Sequence, residues 1–166
     1  DGVLAKDLEY LGVTGGEPTL LPNVPEVVGF IISKCKSLKE ISFNTNGLLT
    51  DNVLQIVNAL ISITKKNGIK LSIYVSLDGI DTVHDNVRGV KGFFNKTATT
   101  IKLLKELIKN ESDAELSINS VVNTFNADHV LDTFKYAKSI DVPINFSLVM
   151  KTTTCINSAN SEVDFE

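Results

Sequence analysis

Residues 71–79 read Leu71-Ser72-Ile73-Tyr74-Val75-Ser76-Leu77-Asp78-Gly79, and the alternation within them decides the fold. In an extended segment Leu71, Ile73, Val75 and Leu77 fall on one face and Ser72, Tyr74 and Ser76 on the other, because successive strand side chains point to opposite sides. A parallel strand covered on both faces reads instead as unbroken Val, Ile and Leu. The pattern recurs at Ile41 and Phe43 against Ser42 and Asn44, and at Ile144, Phe146 and Leu148 against Asn145 and Ser147. Between Glu115 and Asn123 it is looser, with Ser117 and Asn119 on the polar side. Helices can cover the apolar face while the polar face lines a hollow. Closed barrels fill their interiors with aliphatic layers, so a polar interior predicts an α/β fold built as an open, partial parallel (β/α) barrel around a polar ligand.

Outward from this segment, strands are expected over Glu9–Thr14, Glu40–Thr45, Lys70–Leu77, Glu115–Val122 and Ile144–Val149, with helices returning the chain between them. Asn23 and Pro25 open the first helix, whose apolar face is Val24, Val27, Val28, Ile31 and Cys35. Thr50 or Asp51 caps the second, which buries Val53, Val57, Leu60 and Ile61 and stops at Asn67-Gly68. A third runs from Asn95 to Lys109 on Ala98, Ile101, Leu104 and Ile108. The fourth opens near Asn126 and buries Val130, Leu131, Phe134 and Ala137. Residues 1–150 form the barrel domain in this reading, and residues 151–166 a polar tail.

Before and after the third strand lie Gly15-Gly16-Glu17-Pro18, Asn44-Thr45-Asn46-Gly47, and Ser76-Leu77-Asp78-Gly79 with His84-Asp85 and Arg88-Gly89. Adjacent glycines admit a ligand against the backbone, Glu17 can accept from an ammonium, and Arg88 can grip a carboxylate with its planar fork. Together they suit a zwitterion of amino-acid type. Taken singly, each has a plainer meaning: Gly15-Gly16 a turn, Glu17 a solvated charge, His84-Asp85 with Arg88 a surface ion cluster worth little. Asn46-Gly47 ends a strand, and Asn44, one step inside, is with Tyr74 a candidate for the substrate pocket.

In this order the segments resemble the radical S-adenosylmethionine (radical SAM) superfamily, in particular its sulfatase-maturing and peptide-modifying branch, from about Leu8 to Met150. The resemblance implies a partial barrel with helices on its outer face, of which strands two to six are present. It implies that Gly15, Gly16 and Glu17 contact the methionyl amine of SAM, and that Ser76 and Arg88 contact its carboxylate. Asn119 and Phe146 are assigned to the nucleoside, and Asp78 to support of the loop. The parent enzyme would reduce SAM by one electron through a [4Fe-4S] cluster and release a 5'-deoxyadenosyl radical for hydrogen abstraction, with a peptide or protein as the leading substrate.

The chain departs from that family in one respect. The family's cluster triplet CxxxCxxC precedes the glycine-glycine-glutamate-proline segment, whereas here the two cysteines, Cys35 and Cys155, both follow it. Iron-sulfur clusters need converging thiolates, so the chain is expected to be a fragment without its cluster loop, to ligate no metal, and to be inactive alone. Loss of the first strand would leave Glu9–Thr14 as an open edge, from which self-association is expected.

Composition narrows the partners. A net charge of -4 and a pI near 5.2 offer no basic surface for nucleic acid, and no tract approaches a membrane span. Two distant cysteines make no disulfide framework, which points to the cytoplasm. Two other classes stay open: a non-catalytic barrel serving as a binding or scaffold domain, and another nucleotide-binding α/β enzyme, although Gly12-Val13-Thr14-Gly15-Gly16 matches neither GxGxxG nor a P-loop.

Overall fold

The structure, a computed structural model, describes residues 7–149. Cys155 and the rest of the 151–166 tail lie outside the described residues.

Five strands form one sheet in chain order: β1 (Tyr10–Val13), β2 (Glu40–Thr45), β3 (Lys70–Ser76), β4 (Ala114–Val122) and β5 (Ile144–Leu148). All neighbouring pairs are parallel. Five α-helices connect them: α1 (Val24–Lys34), α2 (Thr50–Lys66), α3 (Thr82–Arg88), α4 (Phe93–Ile108) and α5 (Val130–Ser139). Short 3-10 turns at Pro18–Leu20 and Ala127–His129 complete the elements.

Burial follows the alternation read from the sequence at most positions of β2, β3 and β4, but Ser42 and Ser72 are buried as well, and in β5, at the end of the described sheet, Phe146 and Leu148 are 37% and 55% exposed instead of covered. Ile41, Phe43, Leu71, Ile73, Val75, Leu116 and Ile118 form the core together with Val28 and Ile32 of α1, Val53, Val57 and Leu60 of α2, and Ile101 and Leu104 of α4. On the opposite face Asn44, Tyr74, Ser117 and Asn119 are only half buried. One face of the sheet is therefore sealed by helices. The other is a polar concavity, which is what makes this an open barrel.

Three local expectations are corrected. Val27 does not belong to the buried face of α1 and is 49% exposed; the helix instead buries Val24, Val28 and Ile32, a 3.6-residue spacing that excludes Val27. In α5, Leu131 and Phe134 are 62% and 46% exposed, and the small residues Thr133 and Ala137 are the buried ones. The inward side of this helix is thus made of small residues, and its large apolar groups lie outside. Thr50 and Asp51 do not cap α2, because the helix already begins at Thr50; the Thr50 hydroxyl bonds that of Thr100 on α4 at 2.8 Å.

Candidate functional site

At the C-terminal ends of the strands a cleft of about 450 Å³ is lined by Gly15, Gly16, Glu17, Asn44, Ser76, Arg88, Asn119 and Phe146. Eight of the nine residues singled out from the sequence thus converge. Tyr74 is the exception: it pairs in register with Asn44 and Ser117, one row below the row of Ser76, Asn119 and Asn145, and does not line the cleft. A larger groove of about 630 Å³ runs between Ile80–Val83 and α5. It gathers none of these motifs.

The first wall follows β1. Gly15 has φ +137, a conformation that side chains rarely adopt, and a Cβ on Gly15 or Gly16 would meet nothing within 4 Å. The glycine at 15 is thus required by the backbone turn, while the space above both residues is free for a ligand. Glu17 occupies itself differently from the expectation of an amine acceptor. Its Oε1 accepts from Thr19 N–H at 3.2 Å, the Thr19 hydroxyl at 2.7 Å and the Thr45 hydroxyl at 2.8 Å, and its Oε2 accepts from Asn46 N–H at 2.7 Å. Four donors approach the capacity of one carboxylate.

The second wall is the loop after β2. Asn46 folds back so that its Oδ1 accepts Leu48 N–H at 2.9 Å, and its carbonyl accepts the Thr97 hydroxyl of α4 at 3.1 Å. Glu17 on one side and α4 on the other therefore fix this loop.

The third wall contains α3, a helix of seven residues for which the sequence pattern gives no signal. Asp78 and His84 are buried, and neither belongs to a surface ion cluster. The backbone N–H of Asp78 donates to His84 Nδ1 at 3.1 Å, which leaves the proton of the neutral ring on Nε2. Burial, aided by the nearby Arg88 guanidinium, lowers the His84 pKa to about 4, so the ring is neutral at physiological pH. Asp85 accepts Phe94 N–H at 2.8 Å and Gly92 N–H at 2.5 Å, serving the open N-terminus of α4; those backbone donors hold its carboxyl below the usual carboxylate range. Gly79 is required by contact, since a Cβ there would stand 2.4 Å from Val83 Cγ1 of α3.

Arg88 closes α3. Its Nη2 lies 2.7 Å from Asp78 Oδ2, and its Nε is buried without a partner. With its side chain 29% exposed and on the cleft, Arg88 is held from behind while facing solvent in front.

Sequence reasoning missed Thr14, Thr45, Asn46, Val121, Asn145 and Ser147 as cleft residues. The strand alternation could have supplied the last two, because Asn145 shares a row with Asn119 and its Nδ2 donates to Asn119 Oδ1 at 3.1 Å. Asn46 left no such signal, since its placement depends on the Glu17 bond. Among the described residues no group of three or more His, Cys, Asp or Glu could hold a metal, and Cys35 is free and buried on the far side of the sheet. No helix among them is long and apolar enough to cross a membrane.

An open parallel barrel with a polar cleft across the strand ends places the chain among α/β barrel proteins. The chain belongs to the radical SAM superfamily, whose family model matches residues 3–137. It is 35% identical over 95 residues to the antilisterial bacteriocin subtilosin biosynthesis protein AlbA of Bacillus subtilis (strain 168), covering 57% of this chain and 19% of AlbA. It is 27% identical over 149 residues to the GTP 3',8-cyclase of Aquifex aeolicus (strain VF5), covering 89% of this chain and 42% of the cyclase. Its fold is that of native anSMEcpe, solved with bound AdoMet: TM-score 0.66 and 22% identity, over 95% of this chain and 43% of that one. The chain spans less than half the length of each of these proteins.

Proposed function

We propose that the intact protein is a radical SAM enzyme and that this chain contributes the cleft that holds SAM. The observation that carries the reading is the convergence of Gly15, Gly16, Ser76 and Arg88 on one cleft of about 450 Å³ with a floor of asparagine amides. The donor set suits the ligand. Open backbone at Gly15-Gly16 can receive an ammonium, Ser76 and Arg88 can donate to a carboxylate, and Asn119 with Phe146 offers amide and ring to a nucleoside. Because Glu17 is engaged by four protein donors, it acts by shaping the glycine turn and the Asn46 loop. Ammonium contact then falls to main-chain carbonyls of that turn.

When bound, SAM and a [4Fe-4S] cluster would supply the one-electron radical chemistry, with Gly15, Gly16, Ser76 and Arg88 holding the methionyl part of SAM. The cluster finds no ligand set among the described residues. The share of the work done by the residues present is to bind and orient the zwitterion and to keep Ser76 and Arg88 fixed as it arrives.

A peptide or protein substrate is the reading supported by the likeness to AlbA, a bacteriocin biosynthesis protein. The concavity below the SAM row, with Asn44 and Tyr74 on its face, is where that substrate would lie. The reading also places the protein in the reducing cytoplasm, in keeping with the free Cys35, and gives the chain a tendency to self-associate through β1, which among the described residues pairs with β2 alone.

Binding of SAM to the intact protein under anaerobic conditions tests the proposal. Arg88→Ala is expected to weaken it by about tenfold, the worth of one charge-assisted hydrogen bond, and 5'-deoxyadenosine should form on reduction. Unchanged affinity in Arg88→Ala would reduce Arg88 to a partner of Asp78 alone.

A further inference from the structure

Two loops that bound the cleft from different strands are joined through a single buried residue. Asp78 is only 3% exposed, and each of its polar groups is engaged. Oδ2 meets Arg88 Nη2 at 2.7 Å, and Oδ1 accepts Val121 N–H at 2.8 Å. Its carbonyl accepts Asn126 Nδ2 at 2.7 Å, and its N–H donates to His84 Nδ1 at 3.1 Å. Asn126, itself 2% exposed, also donates to the Val121 carbonyl at 3.0 Å and accepts Asn123 N–H at 2.7 Å. Both main-chain polar groups of Val121, a cleft residue of β4, are therefore tied to the Asp78–Asn126 pair.

This arrangement is costly without a purpose for orientation. Burying a carboxylate is unfavourable unless every lone pair is served, and here one oxygen serves Arg88 while the other serves the opposite wall. A long arginine side chain on its own loses rotamer entropy when it settles on a ligand. An arginine already paired has lost that freedom.

We propose that Asp78 is a positioning residue for ligand binding: it fixes the Arg88 guanidinium at the cleft before the ligand arrives and ties that position to the β4 wall at Val121. The inference rests on the reading of Arg88 as the carboxylate contact. It predicts that Asp78 matters to the carboxylate half of SAM and to little else in the ligand.

The test uses the intact protein with its cluster, measuring equilibrium affinity for SAM and for decarboxylated SAM, with thermal melting as the control for folding. Asp78→Asn retains the shape of the side chain but presents an amide where Arg88 needs a charge. It should weaken SAM by about tenfold, as Arg88→Ala does, leave decarboxylated SAM within about twofold, and add nothing when combined with Arg88→Ala. Equal weakening of both ligands, no weakening of either, or additive losses in the double variant would overturn the proposal. Should Arg88→Ala itself leave the SAM affinity intact, the carboxylate reading fails and the inference falls with it. Selective loss in Arg88→Ala without selective loss in Asp78→Asn overturns the inference alone. If Asp78→Asn does not fold, Arg88→Lys decides: it keeps the charge but lacks the Nη2 that Asp78 holds, so it should lose SAM selectively, and wild-type affinity in that variant would refute positioning.

Discussion

Glu17 and Asn46 are joined by a hydrogen bond of 2.7 Å from the Asn46 backbone N–H to Glu17 Oε2, which locks the loop after β1 to the loop after β2. The same carboxylate gathers Thr19 and Thr45. Glu17→Ala leaves four donors without their acceptor, some of them at buried residues. A stability loss of about 1–3 kcal/mol is expected, read as a lower urea midpoint at unchanged slope; an unaltered midpoint would mean that water replaces the carboxylate without cost.

His84 makes the fold sensitive to acid. Its ring titrates near 4 in the folded chain, against about 6.5 when unfolded, so between these values the unfolded state binds the extra proton. Its contribution is complete above about pH 6.5 and is lost as pH falls through 4, a change on the order of 3 kcal/mol. His84→Asn, whose Oδ1 can take the Asp78 N–H in place of Nδ1, should flatten this part of the stability profile. A wild-type profile flat from pH 6.5 to 4 would contradict the burial of a neutral ring.

Gly79 admits no side chain without moving α3. An added methyl would stand 2.4 Å from Val83 Cγ1 and 2.8 Å from Val83 Cβ, and neither atom is the far end of a flexible side chain. Gly79→Ala should cost about 1–3 kcal/mol by overpacking, and should weaken SAM binding as well because Arg88 rides on the displaced helix. Normal SAM affinity in this variant would uncouple the helix from the cleft.

Two leucines on helices should behave in opposite ways. Leu104 is fully buried against the sheet, whereas Leu131 is 62% exposed. Leu104→Ala is expected to cost about 2–5 kcal/mol and Leu131→Ala about 0.5 kcal/mol or less, each by denaturant titration of this chain. Similar losses at both sites would place Leu131 in a core that its exposure denies.

The five strands were legible because alternation is a local signal: Leu71 to Leu77 sorts itself by parity with no knowledge of its neighbours, and the observed strand limits differ from expectation by a residue at most. The meeting of Gly15, Ser76 and Arg88 was legible in part from the residues, since alternation turns Ser76 toward the hollow and the glycines and Arg88 suit one zwitterion, and their separate roles only through the likeness of their motifs to a known family. Helix α3 was missed because Thr82–Arg88 is short and mostly polar, and its place depends on contacts made elsewhere, His84 on the Asp78 amide and on the Phe93 ring at 5.2 Å. Leu131 and Phe134 were misplaced because apolar character at helical spacing does not tell which side meets the sheet.

The sequence by itself thus determined a sheet with one greasy and one hydrophilic side, the order of its elements, and a set of residues suited to a zwitterion. Only the tertiary structure decided what each polar group is free to do. It spends the Glu17 carboxylate on Thr19, Thr45 and Asn46, half-engages Arg88 with Asp78, and brings Asn145 beside Asn119. The physical reason is that hydrogen-bond capacity is exhausted by partners distant in the chain, and no local pattern records which donors will come within three ångströms of which acceptors.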